Sequence, residues 1–258
     1  MISSLATNIT NRIRRTIYLL YFSRGRYFMG RHFMGRHVPE QNGIFYISGA
    51  RVTLSGNHYL SMLEEIVFAD SYQIRNINDK IETVVDIGAN IGVFTLFIGQ
   101  RFNQAVIYAY EPNKSIINHT LSNLTTINNF KLYSTAVTNI SGLATIYIDS
   151  NHTASSLLEG ITSSSEAVSC ETISFSSVMK NCGGKIDLLK LDCEGSEYQI
   201  FSCSEIEDVK YIVGELHTTD IFCPQDGVDM LTSKGFKVQY YPFWDSKAGI
   251  FFAKKQTL

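Results

Sequence analysis

Acidic side chains and one histidine lie in two short segments in the second half of the chain. The segment LDCEGSE supplies Asp192, Glu194 and Glu197, and the segment GELH supplies Glu215 and His217. A carboxylate or imidazole can remove a proton from an attacking hydroxyl, and the ordinary pKa of histidine lies close to cellular pH. We therefore expect an acid–base site in which Asp192 and His217, with Glu194, are the catalytic residues.

The same acids allow other roles. Glu197 and Glu215 are predicted to contact the substrate, although an acid at the position of Glu197 also caps a helix start and complements its dipole. Asp192, Glu215 and His217 together offer oxygen and nitrogen ligands to a divalent metal ion. The sequence favours proton removal without a metal and leaves the metal-assisted alternative open.

A glycine-containing turn, Asp86–Gly92 (DIGANIG), follows an apolar strand in the first half of the chain. Gly88 allows the tight turn, and Gly92 allows a close approach of the backbone to a ligand. Glu111 follows a second apolar strand, Val106–Tyr110, at the spacing at which an acid accepts hydrogen bonds from ribose hydroxyls. Together these features predict a pocket for a nucleoside-containing cofactor.

The residues of this turn distinguish between two classes of cofactor. A dinucleotide site has the pattern GxGxxG, whereas here Asn90 occupies the place of the middle glycine and Asp86 opens the turn. An acid repels a pyrophosphate and attracts a cationic amino-acid group. S-adenosylmethionine carries an ammonium, a sulfonium and a ribose, so Asp86 and Glu111 favour it. Asn113 and Val137, after this strand and at the end of the next, complete the predicted cofactor site.

Four motifs carry a resemblance to a known family. The segments DIGANIGVFTLFIG, YAYEPN, LLKLDCEGSEYQIF and VGELH resemble the FkbM family of S-adenosylmethionine-dependent methyltransferases, over roughly residues 81–258. The resemblance implies an α/β class I methyltransferase fold, which is a Rossmann-like doubly wound sheet. It also implies O-methylation, commonly of sugar or natural-product hydroxyls. A serine-containing stretch that approaches the active site in this family corresponds to Ser155 and Ser156, which are predicted substrate contacts.

Alternating strand and helix patterns predict the sheet that positions these residues. From Val84 onward the predicted strands are Val106–Tyr110, Lys131–Thr138, Leu143–Ile148, Ile186–Leu191 and Tyr211–Leu216, closed by an antiparallel pair, Phe236–Tyr241 and Gly249–Ala253. A helix is predicted over Asn113–Asn128, where apolar residues form one stripe. Because ligands of doubly wound sheets bind at the switch point, the site is expected between the first and fourth parallel strands.

The chain divides into three predicted parts. Residues 1–40 form a basic extension, residues 41–80 a capping region, and residues 81–258 the methyltransferase domain. In the capping region, Ile44–Ser48 and Arg51–Leu54 are predicted to form a hairpin, and Met62–Phe68 a helix over the cofactor. The Ser/Thr-rich segment 150–177 is predicted to be a flexible loop or lid, with some ordered stretches.

Residues 1–39 contain seven arginines and no acid or lysine. The whole chain has 22 basic and 24 acidic residues. The rest of the chain is therefore acidic. We favour a capping helix or lid that docks on this acidic domain, and leave open peripheral contact with a membrane, a polyanionic glycan or a partner enzyme. Nucleic acid is disfavoured because the domain behind the arm is not basic. The apolar run Ile17–Phe22 is too short to span a membrane.

The five cysteines form no C-x-x-C pair, so neither a disulfide framework nor a structural zinc site is predicted. We expect reduced thiols and a cytoplasmic protein, with membrane-surface association as the alternative. The leading function is O-methylation of a saccharide or glycoconjugate hydroxyl. One alternative is methylation of a small natural product, lipid or protein. Another is a methyltransferase-fold binding module without turnover.

Overall fold

The computed structural model describes residues 42–47, 50–55, 59–149, 155–158, 165–244 and 247–256. The predicted basic extension, residues 1–40, lies outside the described residues, and so do its arginines. All five cysteines are described, and all are free thiols. None of the helices in the described ranges combines the length and apolarity needed to cross a lipid bilayer.

The described residues form thirteen strands and six α-helices. The strands are β1 (Asn42–Ile47), β2 (Ala50–Ser55), β3 (Thr83–Ile87), β4 (Val106–Tyr110), β5 (Phe130–Tyr133), β6 (Ala136–Thr138), β7 (Gly142–Asp149), β8 (Ser155–Ser156), β9 (Ser165–Ser174), β10 (Ile186–Leu191), β11 (Val209–His217), β12 (Phe236–Pro242) and β13 (Ala248–Lys255). The helices are α1 (Tyr59–Met62), α2 (Val93–Arg101), α3 (Ile117–Asn123), α4 (Phe175–Asn181), α5 (Glu197–Phe201) and α6 (Pro224–Ser233). A π-helix, Leu63–Phe68, continues α1, and 3-10 turns cover Ile74–Asn76 and Ser204–Asp208.

The central sheet has seven strands in the order β12-β13-β11-β10-β3-β4-β5. Strands β5, β4, β3, β10 and β11 are parallel, and β13 and β12 are antiparallel at one edge. This order confirms the predicted doubly wound, mostly parallel α/β sheet with an antiparallel C-terminal pair. The strands before and after the switch point, β3 and β10, are neighbours, so their carboxyl ends meet.

Successive residues of the central strands alternate between two apolar layers. Val84 and Leu188 pack in the layer that contains the buried residues of α2, whereas Val85 and Leu189 pack in the layer that contains those of α4. Because strand side chains point alternately to opposite faces, this alternation requires helices on both sides of the sheet. The double burial explains why these strands are almost continuously apolar.

The capping region has the predicted hairpin. Strands β1 and β2 are antiparallel, and Ile47 pairs with Ala50 across residues 48–49, which are outside the described ranges. Asn123 of α3 fixes the end of β2, because its side chain accepts from the Ser55 N–H at 2.7 Å and donates to the Ser55 carbonyl at 3.0 Å. The predicted helix Met62–Phe68 is present as the end of α1 and the π-helix.

Two predicted elements differ in the structure. The predicted strand Lys131–Thr138 is two strands, because β5 ends at Tyr133 in the central sheet and β6 belongs to a second sheet, of order β6-β9-β7-β8. The predicted helix Asn113–Asn128 is shorter, since Asn113 forms a side-chain turn in which its Oδ1 accepts from the Ser115 N–H at 3.0 Å. Side-chain to backbone bonds of this kind compete with a helix start.

Part of the Ser/Thr-rich segment is a ten-residue strand rather than a loop. Residues 165–172 of β9 pair antiparallel with the whole of β7. Val168 and Cys170 of β9 pack against Ile146, which gives the second sheet a small apolar core. The polar composition hid this strand, because only alternate residues of a half-buried strand need to be apolar.

Candidate active site

The turn after β3 has a left-handed backbone at three positions. The angle φ is 79° at Gly88, 49° at Asn90 and 83° at Gly92. The Gly88 N–H donates to the Tyr110 carbonyl at 3.0 Å, which joins the turn to the end of β4. A Cβ atom on Gly88 would lie 1.9 Å from the carbonyl oxygen of Asp192. Only glycine therefore fits where the turn passes the residues that follow β10.

Gly92 packs against a helix. A Cβ atom there would lie 3.1 Å from Cγ2 of Thr120, in α3, and 3.2 Å from Cδ2 of Leu124. The close backbone approach predicted for Gly92 is therefore made to this helix, and Gly92 is not among the residues that line the cavity beside the turn. Its role as a ligand contact is revised accordingly.

Glu111 is held rigidly after β4. Its two carboxylate oxygens accept from the backbone N–H groups of Asn90 and Asn113, both at 2.8 Å. The side chain is 4% exposed, and burial raises the pKa of Glu111 to about 7, although the two N–H donors act in the opposite direction. The predicted ribose acceptor is therefore present in a fixed orientation.

A cavity with about 970 Å³ of empty space, part of it open to solvent, follows the carboxyl edge of the central sheet. Its lining includes Gly88, Asn90, Glu111, Val137, Asp192 and Glu194. Met62, Glu65 and Ile66 also line the cavity, so the segment predicted to cover this region does so.

Asp86 does not line this cavity. It is fully buried, its Oδ2 accepts from the Thr95 hydroxyl at 2.6 Å, and its Oδ1 lies 3.5 Å from Nζ of Lys190. Burial raises the pKa of Asp86, and Lys190 opposes this rise. The prediction that Asp86 attracts a cationic group of the cofactor is thus revised, because the carboxylate already faces a cation of the protein.

Lys190 is a buried cation at the centre of the site. Its Nζ donates to the Gly88 carbonyl at 2.6 Å and lies 3.4 Å from Oδ2 of Asp192 as well as close to Asp86. Burial lowers the pKa of Lys190, but the two carboxylates more than offset this, so its pKa lies above the usual value. One ammonium group therefore links the turn after β3 to the acid after β10.

Asp192 has a second partner. The hydroxyl of Tyr72 donates to Oδ2 of Asp192 at 3.3 Å. Tyr72 is 1% exposed and packs edge-on against Phe94 of α2, with ring centroids 5.9 Å apart. Oδ2 of Asp192 is consequently held by a cation and a hydroxyl, while the residue lines the cavity.

His217 lies among three glutamates. Its Nδ1 is 3.1 Å from Oε1 of Glu197, and its Nε2 is 3.4 Å from Oε2 of Glu194 and 3.4 Å from Oε2 of Glu215. Burial lowers the pKa of His217, but the neighbouring carboxylates of Glu197 and Glu215 more than compensate and raise it well above the usual value. Both ring nitrogens of His217 therefore face carboxylates, and His217 does not line the cavity, whereas Asp192 does.

Glu197 contacts His217 from a buried position outside the cavity. It is fully buried, its Oε1 also accepts from the Cys193 N–H at 3.1 Å, and it does not line the cavity. The structure therefore places Glu197 where it orients His217 and the residues after β10, not where it touches an acceptor. The predicted substrate contact of Glu197 is revised for this reason.

The remaining carboxyls crowd one another. Burial raises the pKa of Glu65 to about 7, with repulsion from Glu215 and Asp192 adding to it. Burial also raises the pKa of Glu194 to about 7, against the attraction of His217, and it raises the pKa of Glu215. The acids of both acidic segments thus lie together, as the spacing predicted, and a further acid from the π-helix joins them.

The two predicted substrate serines differ in what can be said of them. The Ser156 hydroxyl donates to the Glu194 carbonyl at 2.7 Å and accepts from the Leu158 N–H at 2.9 Å, so it fixes β8 to the segment after β10. Its side chain is fully buried and already engaged. The side chain of Ser155 is outside the described residues, and its predicted contact stays a prediction.

Three residues of the site carry no predicted role. Lys190 could have been found, because a lysine inside the apolar strand LLKL must be paired when buried. Glu65 and Tyr72 belong to the capping region, where no motif marks them, and only the folded chain brings them to Asp192. A tertiary contact of this type leaves no local pattern in the sequence.

Comparison with known proteins agrees with this arrangement. The model of the methyltransferase FkbM domain matches residues 86–238. No curated protein matches the chain significantly. Among solved structures, an FkbM methyltransferase from Methylobacillus flagellatus is 13% identical, with a TM-score of 0.46 over 70% of this chain and 46% of that one.

Two other solved structures show a similar degree of likeness. A precorrin-6y C5,15-methyltransferase from Geobacter metallireducens is 15% identical, with a TM-score of 0.45 over 73% of this chain and 86% of that one. A fibrillarin pre-rRNA processing protein from Methanococcus jannaschii is 12% identical, with a TM-score of 0.49 over 87% and 86%. The match to the family model covers more than half of the chain and includes the turn after β3, Glu111 and both acidic segments. This chain is an S-adenosylmethionine-dependent methyltransferase and belongs to the FkbM family.

Proposed function

We propose that this enzyme methylates a hydroxyl group of a saccharide or glycoconjugate. The observation that carries the proposal is the single cavity whose lining includes both Glu111 and the acids Asp192 and Glu194. When bound, S-adenosylmethionine supplies a methyl group on a sulfonium. The protein then has to bind the nucleoside, orient the acceptor hydroxyl and take up its proton.

The residues around Glu111 fit the nucleoside part of the cofactor. Ionised carboxylate oxygens accept several hydrogen bonds, so Glu111 can accept from ribose hydroxyls as well as from its two backbone donors. Val137 and Ile146 give the same cavity an apolar wall for a purine. Asn113, also predicted to bind the cofactor, does not line the cavity, and its backbone N–H instead holds Glu111.

Asp192 is the residue that we expect to bind the acceptor hydroxyl. Lys190 and Tyr72 both hold its Oδ2, which fixes the carboxylate without covering it, since 28% of the side chain remains exposed. A fixed carboxylate beside the cavity can orient the hydroxyl and accept its proton as the oxygen attacks.

The charge of this region favours an acceptor rich in hydroxyl donors. Glu65, Asp192 and Glu194 line the cavity, and Glu215 lies next to them. Carboxylates accept hydrogen bonds and repel phosphates, so a saccharide fits better than RNA or a phosphorylated ligand.

An aromatic residue lies at the same edge of the sheet. Strand β13 begins opposite the end of β11, with Ala248 paired to His217, so the turn between β12 and β13 lies beside the acidic residues. Trp244 in this turn is 96% exposed. We expect this indole to offer an apolar surface to an extended acceptor.

The test is methyl transfer from labelled S-adenosylmethionine into separated glycan, lipid, protein and RNA fractions. We expect label in the glycan fraction as a methyl ether, identified by mass spectrometry. Asp192→Asn is expected to reduce the transfer rate by about 10²–10⁴-fold, the usual contribution of a positioned base, while cofactor binding changes little.

A matched control is Asp229→Asn, which removes an exposed carboxylate of α6 and should leave the transfer rate unchanged. If label appears only in the lipid, protein or RNA fraction, the acceptor belongs to that class of molecule and not to the saccharides. Cofactor binding without transfer to any fraction would favour a binding module without turnover.

A further inference from the structure

We propose that Asp192, Glu194 and His217 form a binding site for a divalent cation at the acceptor end of the cavity. One ligand atom from each of these side chains lies within 4.8 Å of the other two. Two of them, Asp192 and Glu194, line the cavity. The site would therefore present a bound cation to whatever occupies that space.

The spacing of the polar atoms suits a shared ion better than direct pairing. His217 Nε2 lies 3.4 Å from both Glu194 Oε2 and Glu215 Oε2. Charge-assisted hydrogen bonds are shorter, at about 2.7–2.9 Å. Ligand atoms at about 2.1 Å from a small divalent cation lie about 3.0 Å apart at right angles and up to about 4.2 Å apart across it, so two atoms 3.4 Å apart can share such an ion. Glu215 is thus placed to become a fourth ligand.

The imidazole is oriented as in many metal sites. Glu197, which is fully buried, contacts Nδ1 of His217 at 3.1 Å and so directs Nε2 towards Glu194 and Glu215. A carboxylate behind a histidine ligand fixes the ring and strengthens the ligand. A cation on Nε2 would take the place of a proton there.

A second observation points to a ligand in this space. Ser196 lines the same cavity and is 1% exposed, yet its hydroxyl has no hydrogen-bond partner among the described residues. Buried hydroxyls are normally paired, so a missing partner indicates a bound molecule or its water. Ser196 lies two residues after Glu194, within the segment that supplies two of the three ligands.

The local charge also favours a bound cation. Five carboxylates lie together, from Glu65, Asp192, Glu194, Glu197 and Glu215, and the cations in contact with them in the described part of the chain are Lys190 and His217. Several buried carboxylates cannot all stay ionised without compensation. Oxygen ligands with one imidazole suit Mn²⁺ or Mg²⁺.

A bound cation would narrow the range of acceptors. This inference about the acceptor rests on the proposed function. A divalent ion with positions left open to the cavity binds acceptors that offer two adjacent oxygen atoms, such as a vicinal diol of a sugar. An acceptor with a single isolated hydroxyl would gain less from it.

The test is titration of the apo protein with Mn²⁺ alone. Binding is measured as the loss of the electron paramagnetic resonance signal of free Mn²⁺. We expect one Mn²⁺ per chain, and weakening by more than about tenfold in His217→Gln and in Glu194→Gln. Glu171→Gln, at an exposed position of β9, is the matched control and should bind like the wild type. Circular dichroism checks the fold, and Glu194→Gln decides the matter where His217→Gln does not fold.

Absence of Mn²⁺ binding by the wild type, or equal binding by the wild type and Glu194→Gln, would overturn the proposal. Calorimetry with S-adenosylmethionine on the same preparations separates this result from the proposed function. Cofactor binding without Mn²⁺ binding removes only the cation site. Mn²⁺ binding without cofactor binding contradicts the proposed function and leaves the cation site standing.

Discussion

Gly88→Ala is expected to abolish cofactor binding and to lower Tm by roughly 5–15 °C. The backbone of Gly88 is left-handed, with φ at 79°, which costs an alanine about 1–2 kcal/mol. The added Cβ atom would also lie 1.9 Å from the Asp192 carbonyl oxygen, so the turn or the segment after β10 has to move, at a further cost of about 1–3 kcal/mol. A change in stability of this size shifts the Tm of a domain of this length by about 2–4 °C per kcal/mol.

Two other glycines separate the causes of this effect. Gly183 has nearly the same φ, 81°, but a Cβ atom there would meet nothing within 4 Å, so Gly183→Ala measures the conformational cost alone. Gly142 has neither the left-handed backbone nor a close neighbour, and Gly142→Ala should be neutral. If Gly88→Ala melted like Gly183→Ala and still bound S-adenosylmethionine in calorimetry, the close contact between the turn and Asp192 would be refuted.

Lys190→Met is expected to destabilise the protein by about 3–5 kcal/mol at neutral pH. The change leaves Asp86 fully buried without its cation and removes a donor from the Gly88 carbonyl. Removing one member of a buried ion pair usually costs this much, because the other charge remains uncompensated. Urea denaturation monitored by circular dichroism measures the loss directly.

A double substitution tests whether charge is the reason. Lys190→Met with Asp86→Asn removes both members of the buried pair, so we expect it to recover part of the stability lost in Lys190→Met. Lys237→Met, at an exposed position of β12, is the matched control and should change stability by less than about 0.5 kcal/mol. Strict additivity of the two substitutions would show that Lys190 and Asp86 do not depend on each other.

The parallel sheet could be predicted because its signals are local. The apolar strands β3, β10 and β11 are buried on both faces, and Glu111 and Asp192 directly follow β4 and β10 at the carboxyl edge. In the segment 165–174 the run Val168–Ile173 indicates order, but its pairing with β7 depends on a separate segment and is not marked locally. The single predicted strand Lys131–Thr138 had to be divided, because nothing local marks the change of sheet at Ser134.

The structure brings several predicted site residues together but gives some of them unexpected partners. Asp192, Glu194, Glu215 and His217 do lie together, because parallel strands deliver their following residues to one edge. The prediction that Asp86 contacts the cofactor is wrong, because Asp86 pairs with Lys190 of β10. This contact joins residues that are distant in sequence. The raised pKa of His217 likewise depends on Glu197, whose burial no spacing rule reveals.

The most direct test of the central claim is a crystal structure of the protein with S-adenosylhomocysteine, the product form of the cofactor. If one cavity joins the nucleoside site to the acceptor site, the ribose hydroxyls will lie within hydrogen-bond distance of Glu111, and the sulfur will face the Asp192 carboxylate. A nucleoside bound away from Glu111, or a sulfur separated from Asp192 by protein, would contradict the account.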